Sequence, residues 1–372
     1  MSVQAVLERF HAIAANPKKQ LDTYLASGDK VVLTAPIYTP EEIIHSMGLV
    51  PMGAWGADTT LNRSKEYFPA FICSIMQSVL ELGITGAYDG VSAIVIPSLC
   101  DSLKCLGQNW KYAVPSIPFI PMTYPQNRAG ELGKAFTKAG CERVIADLEK
   151  ATGAKFDQEK LCASIAVYNA HNAAMRDLDK VLAAHPEITA VQRRDVYKSA
   201  WFMRKEEHTA LVRELLAELN GLGSGPEKTK VLVSGVLFDS PALLTILDEL
   251  GFQVAADDVA AESRQYRIDT DPSLPPLDGL SEKFSRMNCC SVLYDADKKR
   301  VDWIVNAAKH RNARGIIVAL TKFCDPEEFD YPLIKRACEQ AGLPVVLVET
   351  DRQTVNYEQA KTQLEAFRDI IG

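Results

Sequence analysis

The chain has 372 residues, 47% hydrophobic and 24% charged, with 41 Lys and Arg against 48 Asp and Glu for a net charge of −7. That length favours two or three domains with more than one buried core, and the composition excludes disorder, collagen-like repeats and coiled coil. The negative balance argues against a broad footprint for nucleic acid or an anionic membrane surface, so neither is an expected partner. The opening stretch MSVQAVLERFHAIAANPKKQ carries Glu8 and His11 inside its apolar part and lacks a small-residue cleavage site, so it does not read as a secretory signal. No run of about 18 apolar residues marks a membrane span. The expected location is cytoplasmic, where reducing thiol pools keep cysteines from pairing. Nine cysteines, an odd number, then stand as core filler, metal ligands or reactive thiols.

In chain order, residues 2–27 read as two short helices broken at Asn16-Pro17, with Val3, Val6, Leu7, Phe10 and Ile13 at helical spacing. A βαβ rhythm follows: a strand over 30–34, a helix opened by Thr39-Pro40-Glu41-Glu42, a strand over 49–55, a long apolar helix over 68–83, and a β-branched strand over 91–96 of the kind buried on both faces of a parallel sheet. A helix over 101–114 and a strand over 118–124 complete this part. From 126 to about 223 three or four amphipathic helical patterns follow one another, closed by the Gly-Leu-Gly-Ser-Gly-Pro loop at 221–226. Alternation then resumes, with strands over 230–236, 252–255, 315–320 and 344–349 and helices over 241–250, near 277–287 and 297–313, and over 325–341 and 357–371. The expected fold is α/β, with two Rossmann-like parallel-sheet lobes and an N-terminal and a central helical region. The expected divisions are 1–125 for the N-terminal helices and first lobe, 126–226 for the helical connection and 227–372 for the second lobe.

The two lobes echo each other. Ile94-Val95-Ile96-Pro97-Ser98-Leu99-Cys100-Asp101 and Ile316-Ile317-Val318-Ala319-Leu320-Thr321-Lys322-Phe323-Cys324-Asp325 both run a β-branched strand into a cysteine and an aspartate. Ligands of open α/β sheets bind outside the carboxyl ends of the strands, where Cys100 and Cys324 are both expected, and a thiolate there gains from the following helix N-terminus. Cys73, early in the 68–83 helix, points at the same crevice in this reading, and Cys105 lies one helical turn beyond Asp101. Cys141, Cys162 and Cys338 read as filler inside helices, as does the Cys289-Cys290 pair before an expected strand at Ser291–Tyr294. No CxxC pair occurs, so the spacing matches neither a zinc ribbon nor a ferredoxin run, and metal binding and core filling both stay open on spacing alone. Dinucleotide, P-loop, zincin and α/β-hydrolase signatures are absent. His45 reads as packed, His208 as lying on a solvated helical face, and Asp257-Asp258 with Glu262-Ser263-Arg264 as surface charge at a sheet edge.

Several segments, in order, resemble a known family. They are Pro40-Glu41-Glu42-Ile43-Ile44-His45, Pro51-Met52-Gly53-Ala54-Trp55-Gly56, Tyr67-Phe68-Pro69-Ala70-Phe71-Ile72-Cys73-Ser74, Leu99-Cys100-Asp101-Ser102-Leu103, Gln108-Asn109-Trp110-Lys111, Pro125-Gln126-Asn127-Arg128, Ala256-Asp257-Asp258 with Glu262-Ser263-Arg264, and Lys322-Phe323-Cys324-Asp325-Pro326-Glu327-Glu328. Together they resemble the β-subunit of (R)-2-hydroxyacyl-CoA dehydratases, the 2-hydroxyglutaryl-CoA dehydratase D-component and benzoyl-CoA reductase family. The resemblance implies a heterodimer in which each subunit holds one [4Fe–4S] cluster through three cysteines, here Cys73, Cys100 and Cys324, which leaves one iron for a fourth ligand; whether Cys105 supplies it stays open. It also implies an α-subunit that holds most of the 2-hydroxyacyl-CoA substrate, and a separate ATP-dependent iron–sulfur activator that donates the electron. The implied reaction adds one electron to the thioester carbonyl, expels the α-hydroxyl from the ketyl radical, removes the acidified β-proton and recovers the electron as the (E)-2-enoyl-CoA leaves. Some relatives carry a flavin, so FMN stays open here, and the resemblance assigns no catalytic residue to this chain. The alternatives are a reductase subunit within the family, or a non-catalytic two-lobed ligand-binding protein whose cysteines are merely buried.

Overall fold

The computed structural model describes residues 2–223, 225–353 and 356–372. Helix α1 (Val3–Ala14) is capped by Ser2, whose hydroxyl accepts the Ala5 N–H at 3.3 Å, and α2 (Pro17–Ala26) by Asn16, with Pro17 in the first turn. The chain breaks between them as expected, because proline tolerates only the start of a helix. The first sheet follows: β1 (Val31–Thr34), α3 (Glu41–Ser46), β2 (Val50–Gly53), α4 (Ser74–Ile84), β3 (Ala93–Pro97), α5 (Asp101–Ala113) and β4 (Phe119–Met122), all parallel in the order β2-β1-β3-β4. Four helices come next, α6 (Gly130–Thr152), α7 (Gln158–Leu182), α8 (Ala190–Ser199) and α9 (Lys205–Asn220). The second sheet comprises β5 (Thr229–Gly235), α10 (Pro241–Glu249), β6 (Phe252–Val259), α11 (Pro276–Arg286), α12 (Lys299–His310), β7 (Gly315–Thr321), α13 (Asp325–Gln340) and β8 (Val345–Thr350), and α14 (Glu358–Ile371) ends the chain. Its parallel order β6-β5-β7-β8 repeats that of the first.

Strands β1, β2, β3 and β7 are buried along their whole length, as β-branched strands covered by helices on both faces must be. Gly235 permits the close pairing of β5 with β7, because a Cβ there would stand 2.4 Å from the Ala319 carbonyl oxygen. One apolar core takes residues from both sheets, among them Leu33, Ile94, Val233 and Ile317. A separate core joins Val6 and Phe10 of α1 to Met175 and Leu178 of α7 and Val212 and Leu215 of α9, so α1 packs with the central helical region, whereas Leu21 and Tyr24 of α2 join the core of the sheets.

Three local expectations are corrected. The helix expected over 68–83 starts at Ser74; Pro69 bars Phe68 from helical backbone, and Cys73 caps the helix instead of lying inside it. Residues 291–294 form a turn, not a strand, with the Leu293 N–H bonded to the Cys290 carbonyl at 3.2 Å. Strand β6 runs on to Val259 and carries both aspartates within it. The loop at 221–226 connects α9 to β5, and its Ser224 lies outside the described residues.

Candidate functional site

In a parallel sheet of this order the connections leave the two middle strands in opposite senses, which opens a crevice at their carboxyl ends. Pro36 and Ile37 follow β1, and Leu99 and Cys100 follow β3; Val236 follows β5, and Phe323 and Cys324 follow β7. All of these line one cavity of about 670 Å³. The crevices of the two sheets therefore face each other, and Cys100 and Cys324 occupy equivalent places in the repeat.

Cys73 lines the same cavity, so all three cysteines singled out by the sequence meet there. Each is the residue that precedes a helix: Cys73 before α4, Cys100 before α5 and Cys324 before α13. Local sequence sets each bend. Phe323 adopts a left-handed φ of 61°, the Glu328 carboxylate accepts the Phe323 N–H at 3.1 Å, and Pro326 sits in the first turn of α13. Gln77 donates its side-chain N–H to the Ile72 carbonyl at 2.8 Å, and the Ser74 hydroxyl accepts the Arg352 N–H at 3.2 Å, which ties the start of α4 to the loop after β8.

Cys73 and Cys324 are buried and Cys100 is half-buried. Burial pushes all three thiols up, Cys100 to about 12. The amides of the first helical turn pull each one down, Ile75 and Met76 on Cys73, Leu103 and Ser102 on Cys100, and Glu327 on Cys324. None of the thiols closes a capping hydrogen bond of ordinary geometry. The sulfurs also feel one another, Cys73 raising Cys100 and both raising Cys324. Three thiolates would thus repel inside the cavity unless a cation-rich group lay among them. Among the described residues no three His, Cys, Asp or Glu side chains converge as the ligands of a single metal ion do; an iron–sulfur cluster is held differently, by thiolates spread around its separate irons. Tyr294, Phe323 and Phe329 are exposed aromatic side chains on the cavity wall.

The other cysteines separate cleanly. Cys105 is exposed and off the cavity wall, Cys338 is buried filler, and Cys141 is buried in the core beside a second, smaller cavity. Cys162, expected inside, is exposed: α7 turns it away from the face that packs on α9. Cys290 is buried and receives an N–H from Arg264 at 3.4 Å. His45 is packed as expected, bonded to Ser164 at 2.8 Å and Glu206 at 3.0 Å. His208 is fully buried, not solvated, between the Val196 carbonyl and His171, because α7 covers that face of α9.

The expectation of surface charge at 257–264 is overturned as well. Asp257, Asp258, Glu262 and Arg264 are all buried, inside an ionic network that sequence reading missed. Arg193 pairs with both Asp257 and Glu262. Arg300 bridges Asp258 at 2.7 Å, Glu327 at 2.7 Å and Asp330 at 3.0 Å, and Glu327 lies in the first turn of α13, directly behind Cys324. The signal was present: two adjacent aspartates in a strand of a doubly covered sheet demand buried counter-charges.

Two facing Rossmann-like sheets with thiols at equivalent strand ends define an α/β protein with a shared interlobe site. The sequence profile of the family described as 2-hydroxyglutaryl-CoA dehydratase, D-component, matches residues 36–371, and the chain belongs to that family. It is 46% identical over 365 residues to the (R)-phenyllactyl-CoA dehydratase beta subunit of Clostridium sporogenes, covering 97% of each chain. It is 42% identical over 374 residues to the lactoyl-CoA dehydratase subunit beta of Anaerotignum propionicum, covering 99% of each. To the (R)-2-hydroxyglutaryl-CoA dehydratase subunit beta of Acidaminococcus fermentans it is 37% identical over 379 residues and the full length of both. No helix among the described residues is long and apolar enough to cross a membrane.

Proposed function

We propose that this chain is the β-subunit of a radical (R)-2-hydroxyacyl-CoA dehydratase, a cytoplasmic hydro-lyase that forms (E)-2-enoyl-CoA. In this reading Cys73, Cys100 and Cys324 hold a [4Fe–4S] cluster, and the partners are an α-subunit that binds most of the substrate and an ATP-dependent iron–sulfur activator. The observation that carries the proposal is the meeting of three thiols, two buried and one half-buried, each at a helix N-terminus, in one cavity between the sheets. The donor set fits the group: soft thiolates select iron–sulfur clusters, and helix N-termini favour the anionic sulfur over the thiol. When bound, the cluster would supply one-electron transfer at a potential set by its surroundings.

The chain's own residues do the rest. Cys73 and Cys324 are held below the surface, which limits the contact of their sulfurs with solvent. The ion pairs of Arg300 and Glu327 anchor the start of α13, so Cys324 keeps its place relative to the two thiols of the first sheet. The exposed aromatics Tyr294, Phe323 and Phe329 suit burial against a partner subunit, across which an electron would pass.

The test is strictly anaerobic purification with the neighbouring subunit, analysis of iron and acid-labile sulfide, and assay with a 2-hydroxyacyl-CoA, activator and ATP. Phenyllactyl and lactyl thioesters are the first to try. Enoyl-CoA formation is expected, with iron lost in Cys73→Ser, Cys100→Ser and Cys324→Ser and retained in Cys141→Ser and Cys338→Ser. An iron-free complex, or the reverse pattern among the variants, would refute the cluster assignment; reduction of the substrate without enoyl-CoA would refute the dehydratase reading.

A further inference from the structure

A second cavity, of about 90 Å³, lies under the turn that follows β1, walled by that turn and by parts of α6, α7, α9 and α11. By liquid volume it holds about three waters, or one molecule of about five non-hydrogen atoms. Four of its wall side chains each carry a buried polar atom with no hydrogen-bond partner: Thr39 Oγ1, Tyr168 Oη, His171 Nδ1 and Tyr266 Oη. These side chains are 8%, 5%, 0% and 3% exposed. Buried polar atoms need partners; of the fourteen buried side-chain atoms that lack one among the described residues, four gather around this one cavity and describe the contacts of something that fills it.

The hydrogen-bond roles can be worked out from the inside. The Val196 carbonyl only accepts, so His208 Nε2, 2.9 Å away, carries the proton. Burial lowers His208 to about 3 and keeps it neutral, so its Nδ1 is an acceptor and takes the proton of His171 Nε2 at 2.9 Å. Burial holds His171 neutral too, which leaves its Nδ1 a bare acceptor. Burial pushes the phenols of Tyr168 and Tyr266 up, so both remain O–H donors; Tyr168 is raised further by the nearby Glu41 carboxylate, without closing a bond to it of ordinary geometry. Charge on the wall is balanced, Lys205 pairing with Glu41 at 3.2 Å and Lys283 with Glu42 at 2.8 Å. A net charge brought into this space would meet a like charge already paired there.

We propose that this cavity is a binding site for a small neutral 2-hydroxycarbonyl compound, its hydroxyl donating to His171 Nδ1 and its carbonyl oxygen accepting from Tyr168 and Tyr266. The site is distinct from the thiol cavity, and the inference stands whether or not that cavity holds a cluster. Both lie at the carboxyl edge of the first sheet and share the wall residue Pro36.

The probe is 2-hydroxyacetamide, the smallest such compound, titrated by calorimetry and ligand-observed NMR into the full chain purified anaerobically with its partner subunit. Saturable binding at millimolar concentration is expected. Acetamide, which lacks the hydroxyl, and glycolate, which is charged, should each bind about tenfold more weakly, the size of one hydrogen bond. Tyr266→Phe should weaken 2-hydroxyacetamide by a similar factor while leaving iron content unchanged. Should Tyr266→Phe fail to fold, Tyr168→Phe, on a different element, carries the same expectation. No saturable binding, equal binding of acetamide, or a crystal soaked with the probe that shows only water in the cavity would each overturn the proposal.

Discussion

Replacing Arg300 by methionine keeps a long side chain but removes the charge at the centre of the buried network. Arg300 is 3% exposed; its guanidinium meets Asp258 and Glu327 at 2.7 Å and Asp330 at 3.0 Å, and donates to the Ser234 hydroxyl at 3.0 Å. Removing one partner of a buried ion pair costs about 3–5 kcal/mol, because the other charge stays buried without compensation. Arg264 still reaches Asp258 at 3.0 Å and Glu327 at 3.5 Å, and Lys298 still reaches Asp330 at 2.8 Å, so the expected loss lies at the low end, about 3 kcal/mol. For a urea slope of about 3 kcal/mol/M, the midpoint falls by about 1 M at unchanged slope. The pH dependence has a definite sign. Burial pushes Asp258 up, but Arg264, then Arg300 and Arg267, outweigh it and hold the carboxyl well below the usual range. Its stabilisation is therefore complete above the unfolded value of about 3.9 and is lost as pH falls through the folded value. Arg300→Met raises that folded value, so the difference between the two proteins should stay constant from pH 5 to 8 and narrow only under acid conditions. Urea unfolding across that range at two salt concentrations is the assay. A loss below about 1 kcal/mol, or one abolished by about 1 M salt as for a surface pair, would refute the reasoning.

The buried histidines predict a second pH effect. Both His171 and His208 are held below their ordinary value by burial, so the unfolded chain binds more protons, and stability is full above about pH 6.5 and falls below it by up to about 1.4 kcal/mol per pH unit for each. His208→Phe should roughly halve this slope between pH 7 and 5 in urea titrations, and an unchanged slope would contradict it. Gly235→Ala should cost at least about 2 kcal/mol by forcing β5 from β7. Gly130→Ala meets no neighbour within 4 Å and strains only a φ of 76°, which costs about 1 kcal/mol. Equal losses in chemical unfolding would mean that the close approach at Gly235 is not what demands glycine.

Much of the chain could be read locally. The break at Asn16-Pro17 rests on a cap and a proline, and the strands at 91–96 and 315–320 are runs too apolar to face water on either side. Cys100 and Cys324 were legible because a strand running into a helix must place the intervening residue at the sheet's carboxyl edge. Cys73 was legible in part, since the proline at 69 displaced the helix start and made it a cap. Cys162 and His208 were misread because helical periodicity reveals two faces of a helix but not which neighbour covers each. The charges at 257–264 were misread because their partners, Arg193, Arg300 and Glu327, come from α8, α12 and α13.

By itself the sequence determined the element order, the repeat of two parallel sheets and the candidate thiols, since each depends on residues within a turn or two of one another. Only the tertiary structure decided that the two crevices face each other across one cavity, that the aspartates of β6 are buried, and that His171 ends a chain of fixed protons. Those outcomes depend on which surfaces meet. Burial patterns record that a surface is covered, and the contacts that cover it join residues far apart in the chain.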